Sequence, residues 1–174
     1  MRIKTTETKV YTWDELTDEQ KEKALSKLYD INTDYEWWDG VYDDAENVGI
    51  KITEFDLDRN RYAKGNFTQS GIDVARAIIT EHGETCETYK TAQEFLKRYE
   101  EIEIPEAVLD DEYDDKLYEY NLKKEDIDDE FLKSILEDYS IILQHEYEYL
   151  SSEEAIVETI KANEYEFDEN GNIA

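Results

Sequence analysis

The sequence predicts an α+β fold in which a helical majority packs on a small antiparallel β-sheet. Three observations carry this. Aliphatic residues recur at helical spacing behind repeated helix-start signatures. One stretch, residues 50–68, switches to strand formers around a polar turn. The 174 residues also include 14 Tyr, 5 Phe and 3 Trp, core material that disordered acidic chains lack. One proline and six glycines leave little room for a long linker. The expectation is one compact domain over 1–174, with a subdivision into an α+β half, 1–104, and a strongly acidic helical half, 105–174.

Each element has its own signal. Thr12 and Thr17 stand three residues before Glu15 and Gln20, the capping-box spacing. Behind them Ala24, Leu25, Leu28 and Ile31 repeat on one helix face, which Asn32 and Thr33 end. Asp34 is expected to cap the next helix, holding Trp37, Trp38, Val41, Tyr42 and Ala45 and stopping near Gly49. Adjacent tryptophans on a helix point about 100° apart, so one should anchor the helix on the sheet while the other caps a groove or serves as a binding anchor. Trp38 is the candidate anchor for a partner. Ile50, Ile52, Phe55 and Leu57, the polar run 58–61, and Tyr62 to Phe67 read as a hairpin with a four-residue turn. The parity shift between Ile52 and Phe55 predicts a bulge.

Ser70 with Asp73 opens a helix through Ile72, Ala75, Ile78 and Ile79 that Gly83 closes. Thr91 with Glu94 opens the next, carrying Phe95, Leu96, Tyr99 and Ile102, and Pro105 marks a boundary. Residues 106–130 place acid clusters around Leu109, Tyr113, Leu117 and Tyr120, where like charges at helical spacing weaken a helix. Leu132, Ile135, Leu136, Tyr139, Ile142, Leu143 and Tyr147 then form a longer helix. Ser151 with Glu154 caps another through Ala155, Ile156 and Ile160. The alternating tail YEFDENGNI predicts a last strand near 165–173, or a hairpin arm around Asn170 and Gly171.

Charge bears most directly on function. The chain has 47 Asp and Glu against 19 Lys and Arg, a net charge of -28. Residues 1–100 carry 22 acids and 14 bases, residues 101–174 carry 25 acids and 5 bases. Such a surface repels nucleic acid and attracts basic surfaces built to hold phosphates. No direct nucleic-acid partner and no membrane partner is expected; a basic nucleic-acid-binding protein is. The candidate partner-facing acids are Asp110, Asp111, Glu112, Asp114, Asp115, Asp126, Asp128, Asp129 and Glu130. Tyr113, Tyr118 and Tyr120 among them, with Trp38, are candidate aromatic anchors, since a tyrosine ring accepts a guanidinium while its hydroxyl stays hydrated. A helical domain of some 40 Å would face about two dozen duplex phosphates, a number comparable to the net charge.

Catalytic signatures are sparse. Asp56, Asp58 and Asn60 alternate like the first ligands of a calcium loop, but Arg61 stands where such a loop needs Gly, and Phe67 where it needs Glu. They are weak metal candidates, and an ordinary hairpin turn is the simpler reading. His82 precedes Cys86 by four residues, yet Gly83 argues for a turn between them; a helix-end histidine and a half-buried thiol are expected. No nucleophile elbow, phosphate loop or dinucleotide fingerprint is present, so neither an enzyme nor a cofactor is expected. The single cysteine excludes an internal disulfide and fits a reducing cytoplasm. The opening MRIKTTETKV lacks a signal peptide's apolar run, and no stretch is apolar enough to span a membrane.

Three segments, TWDELTDEQKEKALSKLYDINTDYEWWDGVYDDA, FDLDRNRYAKGNF and EYEFDENGNI, resemble an acidic protein family of bacteriophages and mobile elements, some members of which are labelled antitoxin-like. The resemblance spans most of the chain. It implies a viral origin and the cytoplasm of a bacterial host. Joined to the charge, it makes an anti-defence inhibitor acting as a DNA mimic, as some anti-CRISPR proteins do, the leading expectation. The alternative is a binding module in which the hairpin and the tryptophan helix sequester a signalling nucleotide. That reading needs Arg59, Arg61, Lys64 and Arg76 to converge on one concave site rather than scatter in surface pairs.

Overall fold

The computed structural model describes residues 1–2, 9–102 and 111–174, with the helical backbone alone for 111–114. In chain order the elements are β1 (Tyr11–Thr12), a 3-10 turn (Trp13–Glu15), α1 (Asp18–Lys27), α2 (Asp39–Asn47), β2 (Ile50–Asp56), β3 (Tyr62–Phe67), α3 (Gly71–Glu81), α4 (Glu87–Glu100), α5 (Asp111–Leu150), α6 (Glu153–Ala162) and β4 (Glu166–Phe167). The fold is α+β with a helical majority, and its strands form two antiparallel pairs, β1 with β4 and β2 with β3. Contacts gather the chain into two compact units, Trp38–Gln144 and Met1–Trp37 with His145–Ala174. The division runs through α5 rather than between 104 and 105.

In the unit Trp38–Gln144, β2 and β3 pair from Ile50 with Phe67 to Asp56 with Tyr62, with the expected bulge between Ile52 and Glu54. The β2 strand stops at Asp56, so the connection has five residues, Leu57 to Arg61, rather than four. Asp56 stops it locally: its Oδ1 accepts the Asp58 N–H at 2.7 Å, which turns the backbone out of the ladder. Helix α2 begins only at Asp39, so both tryptophans precede it and Asp34 does not cap it. Trp38 meets Phe55 edge-on at 5.5 Å, and Tyr42 meets the same ring at 6.2 Å.

Ser70 caps α3 as expected, its Oγ accepting the Asp73 N–H. Helix α4 begins at Glu87, four residues before Thr91, and Cys86 holds the cap position without a side-chain hydrogen bond. Thr91 instead donates to Asp138 of α5 at 2.6 Å. The acid run does not interrupt α5. Its acids crowd the first turns, where the helix dipole favours negative charge, and its inner face is held by packing. There Phe131 stacks on Phe95 of α4 at 4.2 Å and leans on Phe67 of β3 at 5.4 Å. Around these rings lie Ile50, Ile52, Val74, Ile78, Ile135 and Tyr139, all buried. Gly71 is required by close approach: an added Cβ would fall 2.5 Å from an Asp128 carboxylate oxygen and 3.3 Å from the Phe95 ring.

In the other unit, Thr17 and Gln20 form the expected capping box of α1. The helix ends at Lys27, and Asn32 is a buried tie rather than a helix stop. Its Nδ2 donates to the Leu150 carbonyl at 3.0 Å, and its Oδ1 accepts from Thr159 at 2.7 Å. The cap of α6 is Ser152, whose Oγ accepts the Ala155 N–H, while Ser151 donates back to the Tyr147 carbonyl. The tail is both of the things expected of it. Phe167 of β4 pairs with Tyr11, and the chain returns over Gly171 so that Ile173 bridges back to Phe167. Trp13, Leu16, Ala24, Ile156, Ile160 and Phe167 form this unit's core. No helix among the described residues is long and apolar enough to cross a membrane.

Candidate functional site

Helix α5 puts one clean acidic face into solvent. At 100° per residue, Asp115, Tyr118, Glu119, Leu122, Asp126 and Asp129 share an arc of about 100°, and all six are exposed. Tyr118 is 66% and Leu122 41% exposed, large fractions for residues that could have been buried. Lys116 and Lys123 fall to one side of this stripe and Glu125 to the other. An exposed tyrosine and leucine flanked by carboxylates can offer a partner apolar contact, ring stacking and anionic acceptors together.

The expected site residues divide accordingly. Asp115, Asp126, Asp129 and Tyr118 lie on the stripe. Asp110 lies outside the described residues, and for Asp111, Glu112, Tyr113 and Asp114 only the helical backbone is described. Asp128 is not solvent-facing as expected. It lies on the α5 face turned to Gly71, its Oδ1 is enclosed without a hydrogen-bond partner, and burial raises its pKa above the usual carboxylate range. Glu130 is engaged within the unit, accepting from Arg98 of α4 at 2.6 Å. Tyr120 already has a cation: the Lys124 ammonium lies 5.4 Å from its ring centre and 4.8 Å from that of Tyr99. The Tyr99 hydroxyl is the main cause that holds the Lys124 pKa above the ordinary lysine value. Trp38 is half-buried on Phe55, so it supports the hairpin rather than standing free as a binding anchor.

The basic residues do not converge. Arg61 is held by α5: Nε donates to Ser140 at 2.9 Å, Nη1 to Gln144 at 2.6 Å and Nη2 to Glu137 at 2.5 Å. Lys64 pairs with Glu54 at 3.1 Å, and the Tyr62 hydroxyl donates to the same carboxylate. Arg59 and Arg76 are exposed on the hairpin loop and on α3. Asp56, Asp58 and Asn60 are all exposed, with Asp56 engaged by the Asp58 N–H. No group of three or more His, Cys, Asp or Glu among the described residues is placed to hold a metal.

One constellation escaped the sequence. Asp44 Oδ2 lies 3.5 Å from His82 Nε2, and His82 Nδ1 lies 2.8 Å from the Thr88 hydroxyl. This is the order of an acid–imidazole–hydroxyl relay. Thr88, however, is only 2% exposed, and the buried Tyr139 donates to the same Asp44 oxygen at 2.9 Å. Thr88 is thus closed to substrate, and the hydrogen bonds of the cluster tie Tyr139 of α5 to Asp44 of α2 and His82, just past α3, to Thr88 of α4. His82 holds the Asp44 carboxyl below its ordinary pKa. Cys86, expected to be half-buried, is exposed.

No protein-family model, curated protein or solved structure matches this chain. Both units are acidic: Trp38–Gln144 has 29 acids and 12 bases, a net charge of -17, and the other unit has 18 acids and 7 bases, a net charge of -11.

Proposed function

We propose that the protein is a binding protein that docks the acidic face of α5 on a basic, phosphate-holding surface of another protein and so competes with nucleic acid for it. The observation that carries this is the stripe itself, four carboxylates interleaved with exposed Tyr118 and Leu122 and free of lysine between Asp115 and Asp129. Magnitude narrows the reading. From Asp115 to Asp129 the helix rises about 21 Å. Duplex DNA presents about six phosphates per strand over that rise, and about twelve in all. Four carboxylates approach one strand's complement and fall well short of a duplex. The reading is therefore imitation of a single backbone strand lying in a groove.

The narrower form, an inhibitor of phage origin directed against a bacterial defence or host enzyme, draws its support from the sequence resemblance and the charge. The nucleotide-pocket alternative is disfavoured because Arg61 and Lys64 are already paired within the hairpin unit. The test is affinity capture from a bacterial lysate at low and moderate salt, comparing the protein with a variant in which Asp115, Glu119, Asp126 and Asp129 become Asn or Gln. A retained nucleic-acid-binding protein, released by the variant and by added single-stranded DNA, is the expected result. Retention that neither change affects would overturn the reading.

A further inference from the structure

The Asn170–Gly171 turn lies away from the α5 stripe in sequence and has a chemistry of its own. Asp168 organises it: Oδ1 accepts the N–H groups of Asn170 and Asn172, both at 2.9 Å, and Oδ2 accepts from the Asn172 side chain at 2.8 Å. Gly171 has φ of +74° and sits against α1, where an added Cβ would fall 2.8 Å from the Ala24 nitrogen. The Lys27 ammonium, at the end of α1, donates to the Asn170 carbonyl at 2.7 Å and to Asn172 Oδ1 at 2.5 Å. Asn170 is exposed, and among the described residues no hydrogen bond restrains its carboxamide.

The carbonyl that Lys27 grips belongs to the same peptide unit as the Gly171 nitrogen. We infer that Asn170 is a self-modification site, at which the chain deamidates with Lys27 as the activating group. The step balances within the chain and water. Hydroxide removes the Gly171 amide proton, and the resulting negative charge is shared with the Asn170 carbonyl oxygen, where the ammonium stabilises it. The nitrogen attacks Asn170 Cγ, the Cγ–Nδ2 bond breaks, and ammonia leaves with a proton from water. Water then opens the cyclic imide at either carbonyl, giving aspartate or isoaspartate at position 170. Glycine at 171 leaves the attacking nitrogen unhindered by a side chain. Its N–H is held by the Asp168 carbonyl at 3.1 Å, a hydrogen bond that must open first.

Lys27 acts here as a one-donor oxyanion site. Because it is exposed, its effect should be about tenfold, below the 10²–10³ of a water-excluded donor. The isoaspartyl product adds a main-chain carbon between Asp168 and Asn172, whose hydrogen bonds require the present spacing. The experiment is to incubate the folded wild type, Lys27→Gln and Lys27→Arg in mildly alkaline buffer, then map isoaspartate at position 170 by proteolysis and mass spectrometry. Circular dichroism establishes that each variant is folded, and a parallel set is held in urea. In the folded set Lys27→Gln should react about tenfold more slowly and Lys27→Arg near the wild-type rate; in urea the three rates should coincide. No modification of the folded wild type would overturn the inference. So would a folded Lys27→Gln rate equal to or above the wild type's, because Lys27 would then only restrain the turn.

Discussion

At the scale of single residues, the two side chains with the clearest energetic consequences are Asp128 and Arg61. Asp128 carries an enclosed oxygen with no partner, and burial raises its proton affinity in the folded state. The native chain thus binds that proton more tightly than the unfolded chain. Stability falls as pH rises from the ordinary carboxylate range through the raised value, and the cost persists above it. Asp128→Asn should stabilise the protein at neutral pH by about 1 kcal/mol, because the amide carries no charge to desolvate even though its enclosed polar atom still lacks a partner. The gain should shrink as pH falls through the raised value and be gone below the ordinary carboxylate value. Urea unfolding at several pH values reads both effects, and a destabilised variant at neutral pH would refute the assignment. Arg61 is the opposite case, a guanidinium whose three contacts fix the hairpin loop on α5. Arg61→Ala should cost about 1–3 kcal/mol, and Arg61→Lys should recover little because an ammonium cannot reproduce the planar fork.

At the scale of elements, the α5 stripe should control association rather than folding. Changing Asp115, Glu119, Asp126 and Asp129 to Asn or Gln should leave the circular-dichroism spectrum unaltered and slow association with a captured target on the order of tenfold at low salt. The matched change at Asp128 and Glu130 should barely affect association, since the first is enclosed and the second is paired with Arg98. Stopped-flow binding ranks the two sets, and the reverse order would remove the stripe from the interface. How much of this was legible in the sequence depends on whether a local signal existed. The hairpin and its bulge were legible because side-chain parity is itself local, and α3 because Ser70 is a good cap. The start of α4 was not: Cys86 offers no capping oxygen, and Thr91, which looks like a cap, is engaged by Asp138 across the fold. Ser151 and Ser152 are indistinguishable until the Ala155 N–H selects one. Acids flanking residue 128 suggest a solvated run, and only the approach of Gly71 shows that one of them turns inward.

At the scale of the whole molecule, net charge should make folding and binding respond to salt in opposite directions. A charge of -28 repels itself in the compact state more than in the expanded chain. The described cations relieve little of it, because apart from half-buried Arg61 their ion pairs, such as Lys23–Glu19 and Lys90–Glu87, are exposed and individually weak. Raising salt from about 0.1 M to 1 M shortens the Debye length from about 10 Å to about 3 Å and screens most of that repulsion. The melting temperature should therefore rise with sodium chloride, by about 2–4 °C for each kcal/mol relieved in a chain of this size. Over the same range, affinity for a basic partner should fall steeply, because the attraction that steers the encounter is screened too. Duplex and single-stranded DNA should show no binding at physiological salt, where the same charge excludes a polyanion. Differential scanning fluorimetry and a binding titration in one salt series test the pair of slopes. A melting temperature that falls with salt would mean that ion pairs outweigh repulsion. A partner affinity indifferent to salt would mean that Tyr118 and Leu122, rather than the carboxylates around them, hold the complex.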